Sequence, residues 1–147
     1  MNGFIIKRKN DDWRLQLDRF IAVSANEPFV WGEHDCGLFA AAGVEAQIGE
    51  DFASDLRGRY DSFETGLNLL QSLGFADHVE LAASRLPEIP PAFAQLGDVA
   101  AVDFGAAGMT LTIVGGHRLH GPMPGMRGTL PMTAACRAFA VGRMPDL

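Results

Sequence analysis

This 147-residue sequence predicts an α+β fold, with helices first and an antiparallel sheet afterwards, because the period of its apolar pattern changes partway along. Up to Leu73 apolar residues recur at helical spacing, whereas from Gly97 onward the repeat is two residues, with glycines bounding each run. Pro87, Pro90 and Pro91 mark the join. The length suits one domain over residues 1–147, and 48% hydrophobic with 20% charged residues gives it a real core and excludes wholesale disorder.

The first helix follows Asp11-Asp12. Trp13, Leu17, Phe20 and Ile21 fall at i, i+4, i+7 and i+8, an amphipathic stripe with acidic residues at its positive end. It is expected to pack across the next helix, and Asn26-Glu27-Pro28 ends its pattern, since the residue before a proline is pushed out of the helical region. Asp35 reads as an N-cap and Cys36 as the first residue of a second helix reaching Ile48. Phe39, Ala40, Gly43 and Val44 form its buried face, Ala41, Ala42 and Ala46 keep it slim, and Gly49 ends it. Residues 50–60 read as a loop. Asp61-x-x-Glu64 has the form of a capping box for a third helix, in which Phe63, Leu67, Leu70 and Leu73 recur until Gly74. Asp77 to Leu86 fits a short helix and an irregular strand equally.

Asp98 to Phe104 and Met109 to Val114 read as strands. Leu119-His120, Thr129 to Met132 and Cys136 to Val141 supply three more short candidates, with Gly-Pro turns between them. Cys136 is expected to face the core. Met123, Met126 and Met132 suit either a core edge or an adaptable contact surface.

A net charge of −6 leaves no basic stripe for phosphate groups, so nucleic acid is excluded as a partner. In Met1 to Lys9 the apolar run precedes the basic residues, the reverse of a secretory signal, and no segment reaches membrane-spanning length. The expected location is cytoplasmic or virion-associated. Two cysteines, Cys36 and Cys136, are too few for a disulfide framework, and no cofactor is implied.

The chemistry centres on Pro28-Phe29-Val30-Trp31-Gly32-Glu33-His34-Asp35-Cys36, an aromatic and glycine turn that runs into the second helix. A cysteine at a helix start sits among unpaired N–H groups and partial positive charge, which favour thiolate over thiol. The bland alternative is a small buried apolar residue. Gly32 suits a backbone that approaches the nucleophile closely, while Trp31 and Phe29 suit either a groove wall or core packing.

Phe29-x-Trp31-Gly32-x-x-Asp35-Cys36, followed by a helix of small residues, resembles the nucleophile segment of the NlpC-type, papain-like cysteine peptidases of bacterial cell walls, and in particular a small phage and prophage branch. The resemblance implies a papain-like fold in which the nucleophile's helix packs on an antiparallel sheet of five to six strands. Leu96-Gly97-Asp98-Val99 resembles the family's glycine-aspartate strand, and the next strand of the family opens with the base histidine. Here that position is Met109, whose thioether carries no useful proton. Arg118-Leu119-His120-Gly121-Pro122 resembles the segment bearing the third catalytic residue, so Cys36 and His120 match and the residue between them does not.

Other arrangements of these residues stay open. His34 or His117 is a candidate displaced base, although His34 lies only two residues from Cys36. His34, Cys36, His117 and His120 around zinc is disfavoured, because i and i+3 on a strand point to opposite faces, and no metal is expected. His120 also fits a hydrogen-bonded strand histidine without chemistry. Trp31, Gly32, Asp35 and Met109 are the residues expected to border the substrate.

Two functions follow from the resemblance. One is a phage- or prophage-type cysteine hydrolase acting on peptide or amide bonds of peptidoglycan, with a degenerate triad. The other is a catalytically silent assembly protein, for example of a phage tail, with tail proteins as partners.

Overall fold

The computed structural model describes residues 7–105, 108–122 and 129–144. Helices α1 (Trp13–Ser24), α2 (Cys36–Ile48), α3 (Phe63–Ser72) and α4 (His78–Arg85) precede strands β1 (Glu88–Ile89), β2 (Val99–Asp103), β3 (Met109–Val114), β4 (Arg118–His120), β5 (Thr129–Pro131) and β6 (Ala135–Phe139). The strands form one six-stranded sheet in the order β1-β6-β2-β3-β4-β5, with every neighbouring pair antiparallel. The expected α+β class and helix-on-antiparallel-sheet layout are thus observed. Among the described residues no helix is long and apolar enough to cross a membrane.

Helix α2 is central because its residues are small or apolar on almost every side. Phe39, Ala40, Val44 and Ile48 join the main core with Trp13 and Leu17 of α1, Leu111 and Ile113 of β3, and Phe139 of β6. Leu38 turns the other way, into a cluster with Ala53, Leu56 and Leu70. At Gly43 helix α2 lies close against both α1 and β3, since a Cβ there would stand 2.9 Å from Ile113 Cδ1 and 3.3 Å from the Phe20 ring. Gly43→Val is therefore expected to lower the unfolding free energy by about 1–3 kcal/mol through overpacking, as read from urea denaturation. An unchanged midpoint would contradict this packing.

The opposite face of the sheet carries a smaller core of Ala100, Val102, Val114 and Leu119, against which Leu130 and Met132 pack. Strand β3 is consequently covered on both faces, threonines included, and the Thr112 hydroxyl satisfies itself by donating to the Ala100 carbonyl at 2.8 Å.

Several local expectations need correction. The capping box is formed by Ser62 and Thr65, not Asp61 and Glu64: Ser62 Oγ accepts from the Thr65 amide at 3.0 Å, and the Ser62 amide donates to Thr65 Oγ1 at 3.1 Å. Asp61 lies one residue too early for a helix that begins at Phe63. In that helix Leu70 is buried, but Phe63 and Leu73 are 50% and 42% exposed. Cys136 is exposed, because the β2–β6 register shifts between Ala101 and Val102, so that Val102 pairs with Ala135 and Cys136 is the extra residue of a bulge. Asp77 to Leu86 resolves as the short helix α4. Strand β1 lies within the proline connection, where its two residues pair with Phe139 and Ala138. Met132 is partly buried, whereas Met123 and Met126 lie outside the described residues.

Candidate active site

The turn before α2 closes on itself: the Val30 amide donates to the His34 carbonyl at 2.9 Å, and the His34 amide donates back to the Val30 carbonyl at 2.8 Å. Gly32 sits within this turn at φ +81°, and a Cβ there would stand 1.9 Å from the Tyr60 carbonyl oxygen. Only glycine fits, on grounds of both backbone conformation and space. Asp35, which is buried, ties three segments together. Its Oδ1 accepts from the Leu38 amide at 3.0 Å, capping α2, and its Oδ2 accepts from the Gly32 amide at 2.9 Å and the Tyr60 hydroxyl at 2.5 Å. Burial and the bond to Asp35 push the Tyr60 phenol far above its ordinary range, so it stays a donor.

Cys36 follows Asp35 as the first residue of α2. Its Sγ lies 3.9 Å from Nε2 of His78, the first residue of α4. Helix α4 starts where it does because Asp77 caps it, accepting from the Glu80 amide at 2.9 Å. Val79 anchors it in the main core, and Glu80 reaches Arg137 of β6 at 3.2 Å. The imidazole crosses the open side of Gly37, where a Cβ would stand 3.7 Å from His78 Cβ.

The two groups shift each other in opposite senses. Burial pushes the Cys36 thiol up, but hydrogen bonding and charge from His78 outweigh it, with smaller help from the Thr110 side chain and the Leu111 backbone, and the net direction is down. Burial pulls the His78 imidazole down, but its hydrogen bond and attraction to Cys36, aided by Asp77 and Asp35, carry it up. A thiolate paired with an imidazolium is the state these shifts favour. The N-terminus of α2 acts on the sulfur in the same direction. Among the described residues the Cys36 and Gly37 amides have no hydrogen-bond acceptor, which leaves two donors beside the sulfur.

Cys36 and His78 border a cleft of about 360 Å³ whose other walls include Phe29, Trp31, Phe63, Phe104 and Met109. Of the residues singled out from sequence, Cys36, Asp35, Trp31 and Met109 come together there, with Gly32 in the turn behind. Trp31 packs edge-on against Phe29 and Phe63, with centroids 4.8 Å and 5.9 Å away. Met109 opens β3, and its Sδ is 3.9 Å from Cys136 Sγ.

The three histidines considered as catalytic lie elsewhere. His34 faces Glu27 at 3.5 Å and the edge of Phe39. His117 is exposed in the turn between β3 and β4. His120, on β4, packs against Gly115, where a Cβ would stand 2.5 Å from its Cδ2, and burial holds its imidazole below the usual range. Among the described residues no three His, Cys, Asp or Glu side chains gather as a metal site requires. His78 was missed from the sequence. Its one local signal is that Asp77-His78 repeats the cap-then-side-chain arrangement of Asp35-Cys36.

The chain belongs to the family described as "Domain of unknown function (DUF6950)", whose model matches residues 8–141. No curated protein and no solved structure matches it.

Proposed function

We propose that this member of the DUF6950 family is a papain-like cysteine hydrolase that cleaves peptide or amide bonds, with peptidoglycan peptides in a phage or prophage setting as the substrate implied by its resemblance to NlpC-type enzymes. The observation that carries the proposal is the approach of His78 Nε2 to Cys36 Sγ, 3.9 Å, beside a cleft. An imidazole from α4 takes the part that Met109 cannot play from β3.

The Cys36 thiolate attacks the carbonyl carbon, and the oxygen that gathers charge is met by the amides at the start of α2. The C–N bond then breaks, the amine leaves with the proton carried by His78, and a thioester remains on Cys36. Neutral His78 next takes a proton from water as the water attacks the thioester. The acid departs, and the proton returned to His78 restores the ion pair. The net change is amide plus water to acid plus amine.

The competing reading, a silent assembly component of the phage-tail kind, draws on one observation: among the described residues no side chain hydrogen-bonds the second ring nitrogen of His78, where papain-like sites hold a third residue. The two readings separate on incubation with purified peptidoglycan and, in parallel, with a pool of peptide amides of mixed side chains. Release of free amino groups by the native protein and none by Cys36→Ala is expected, and no release by either favours assembly.

The pH profile has a defined shape. Cys36, with its pKa lowered, loses its proton early, so activity rises at a pH below the ordinary thiol range; His78, with its pKa raised, keeps its proton late, so activity falls only above the ordinary imidazole range. A bell of kcat/KM between those limits is expected. A single rise near the ordinary thiol range contradicts the pairing.

A further inference from the structure

Resting on the cysteine-hydrolase reading, but not on the peptidoglycan peptide that the resemblance implies, whose side chains are small or charged, we propose that the substrate places a neutral, apolar group in the cleft beside its scissile carbonyl, an aromatic or branched aliphatic side chain rather than a carboxylate or an ammonium. The first ground is the surface itself. Trp31, Phe63, Leu67, Phe104 and Met109 present rings, a branched chain and a thioether to a space of about 360 Å³, enough for a large side chain.

The second ground is the fate of every charge within reach. Among the described residues the titratable groups that line the cleft are Asp35, Cys36, Tyr60 and His78. The Asp35 carboxylate is already occupied by two backbone amides and the Tyr60 hydroxyl, and the Tyr60 proton is committed to it. Cys36 and His78 are committed to each other. No lysine or arginine is among these lining residues, and no carboxylate is left over. With the free Cys36 and Gly37 amides taken by the scissile carbonyl, a charged side chain entering here loses water and meets no free group of opposite charge, whereas an apolar group gains from burial.

The third ground is Phe63. It stands in the first turn of α3, 50% exposed, with its centroid 5.9 Å from Trp31. The core makes little use of it, and an apolar ligand at the mouth of the cleft would cover it.

Three maleimides with one reactive ring and different nitrogen substituents test this directly. The thiolate adds to the carbon–carbon double bond, a proton goes to the adjacent carbon, and nothing leaves. Each rate at Cys36, followed by mass spectrometry of the labelled peptide, is divided by that reagent's rate with glutathione. N-benzylmaleimide is expected to exceed N-(2-carboxyethyl)maleimide and N-(2-aminoethyl)maleimide by at least about tenfold. Phe63→Arg, at a half-exposed position, is expected to narrow the gap for the carboxyethyl reagent. Corrected rates that agree within about threefold overturn the proposal, as does a gap that Phe63→Arg leaves intact. Iodoacetamide, small and neutral, separates the two levels: if it labels Cys36 no faster than Cys136, the hydrolase reading itself falls, whatever the maleimides do.

Discussion

His78→Ala is expected to lower kcat/KM for amide hydrolysis by about 10²–10⁴-fold, the usual worth of a positioned general acid and base. Two losses combine in it. The Cys36 thiol loses the partner that draws its pKa down, so less thiolate is present near neutral pH, and the departing amine loses its proton donor. His34→Ala and His117→Ala serve as controls and are expected to leave the rate close to that of the native protein, because neither side chain borders the cleft. A large loss in either control, with His78→Ala unaffected, would return the base to one of the positions considered from sequence.

The largest expected effect on stability belongs to Asp35. Asp35→Ala removes the cap of α2 and leaves the Gly32 amide and the Tyr60 hydroxyl without their acceptor. A lost cap typically costs about 1 kcal/mol and a buried unsatisfied donor about 1–3 kcal/mol, so a total of about 2–5 kcal/mol is expected, measured as the shift in urea midpoint. Asp35→Asn should recover part of it, since one oxygen can still cap Leu38 while an amide nitrogen faces donors. If Asp35→Ala unfolds no more readily than the native chain, the three-way tie is not what holds the turn.

Much of this fold is legible in the sequence because local rules decide it. Asp35 before an apolar run gives the start of α2, Gly49 its end, and the glycine-bounded alternation after Gly97 gives β2 and β3. The same rules locate Cys36 at a helix N-terminus and give Gly32 as a position without room for a side chain, although the backbone it meets is that of Tyr60 and not the nucleophile. His78 was not legible for two reasons. Helix α4 has only eight residues and two alanines, too little for an apolar stripe, and its meeting with Cys36 joins residues 42 apart in sequence. The resemblance instead implies a base at the start of β3, where Met109 stands. Cys136, expected to face the core, is exposed because a bulge shifts the inward and outward alternation by one residue, and a bulge depends on the partner strand. Strand β1 escaped because two residues between prolines carry no period.

The pairing of a Cys36 thiolate with a His78 imidazolium, proposed above, is read most directly by the pH dependence of iodoacetamide alkylation in the native protein, with Cys136 as an internal reference. Although Cys36 is buried and Cys136 exposed, Cys36 is expected to react faster at neutral pH, with an inflection below the ordinary thiol range that rises in His78→Ala. A Cys36 that reacts more slowly than Cys136, with an inflection at or above the ordinary range and no response to His78→Ala, would contradict it.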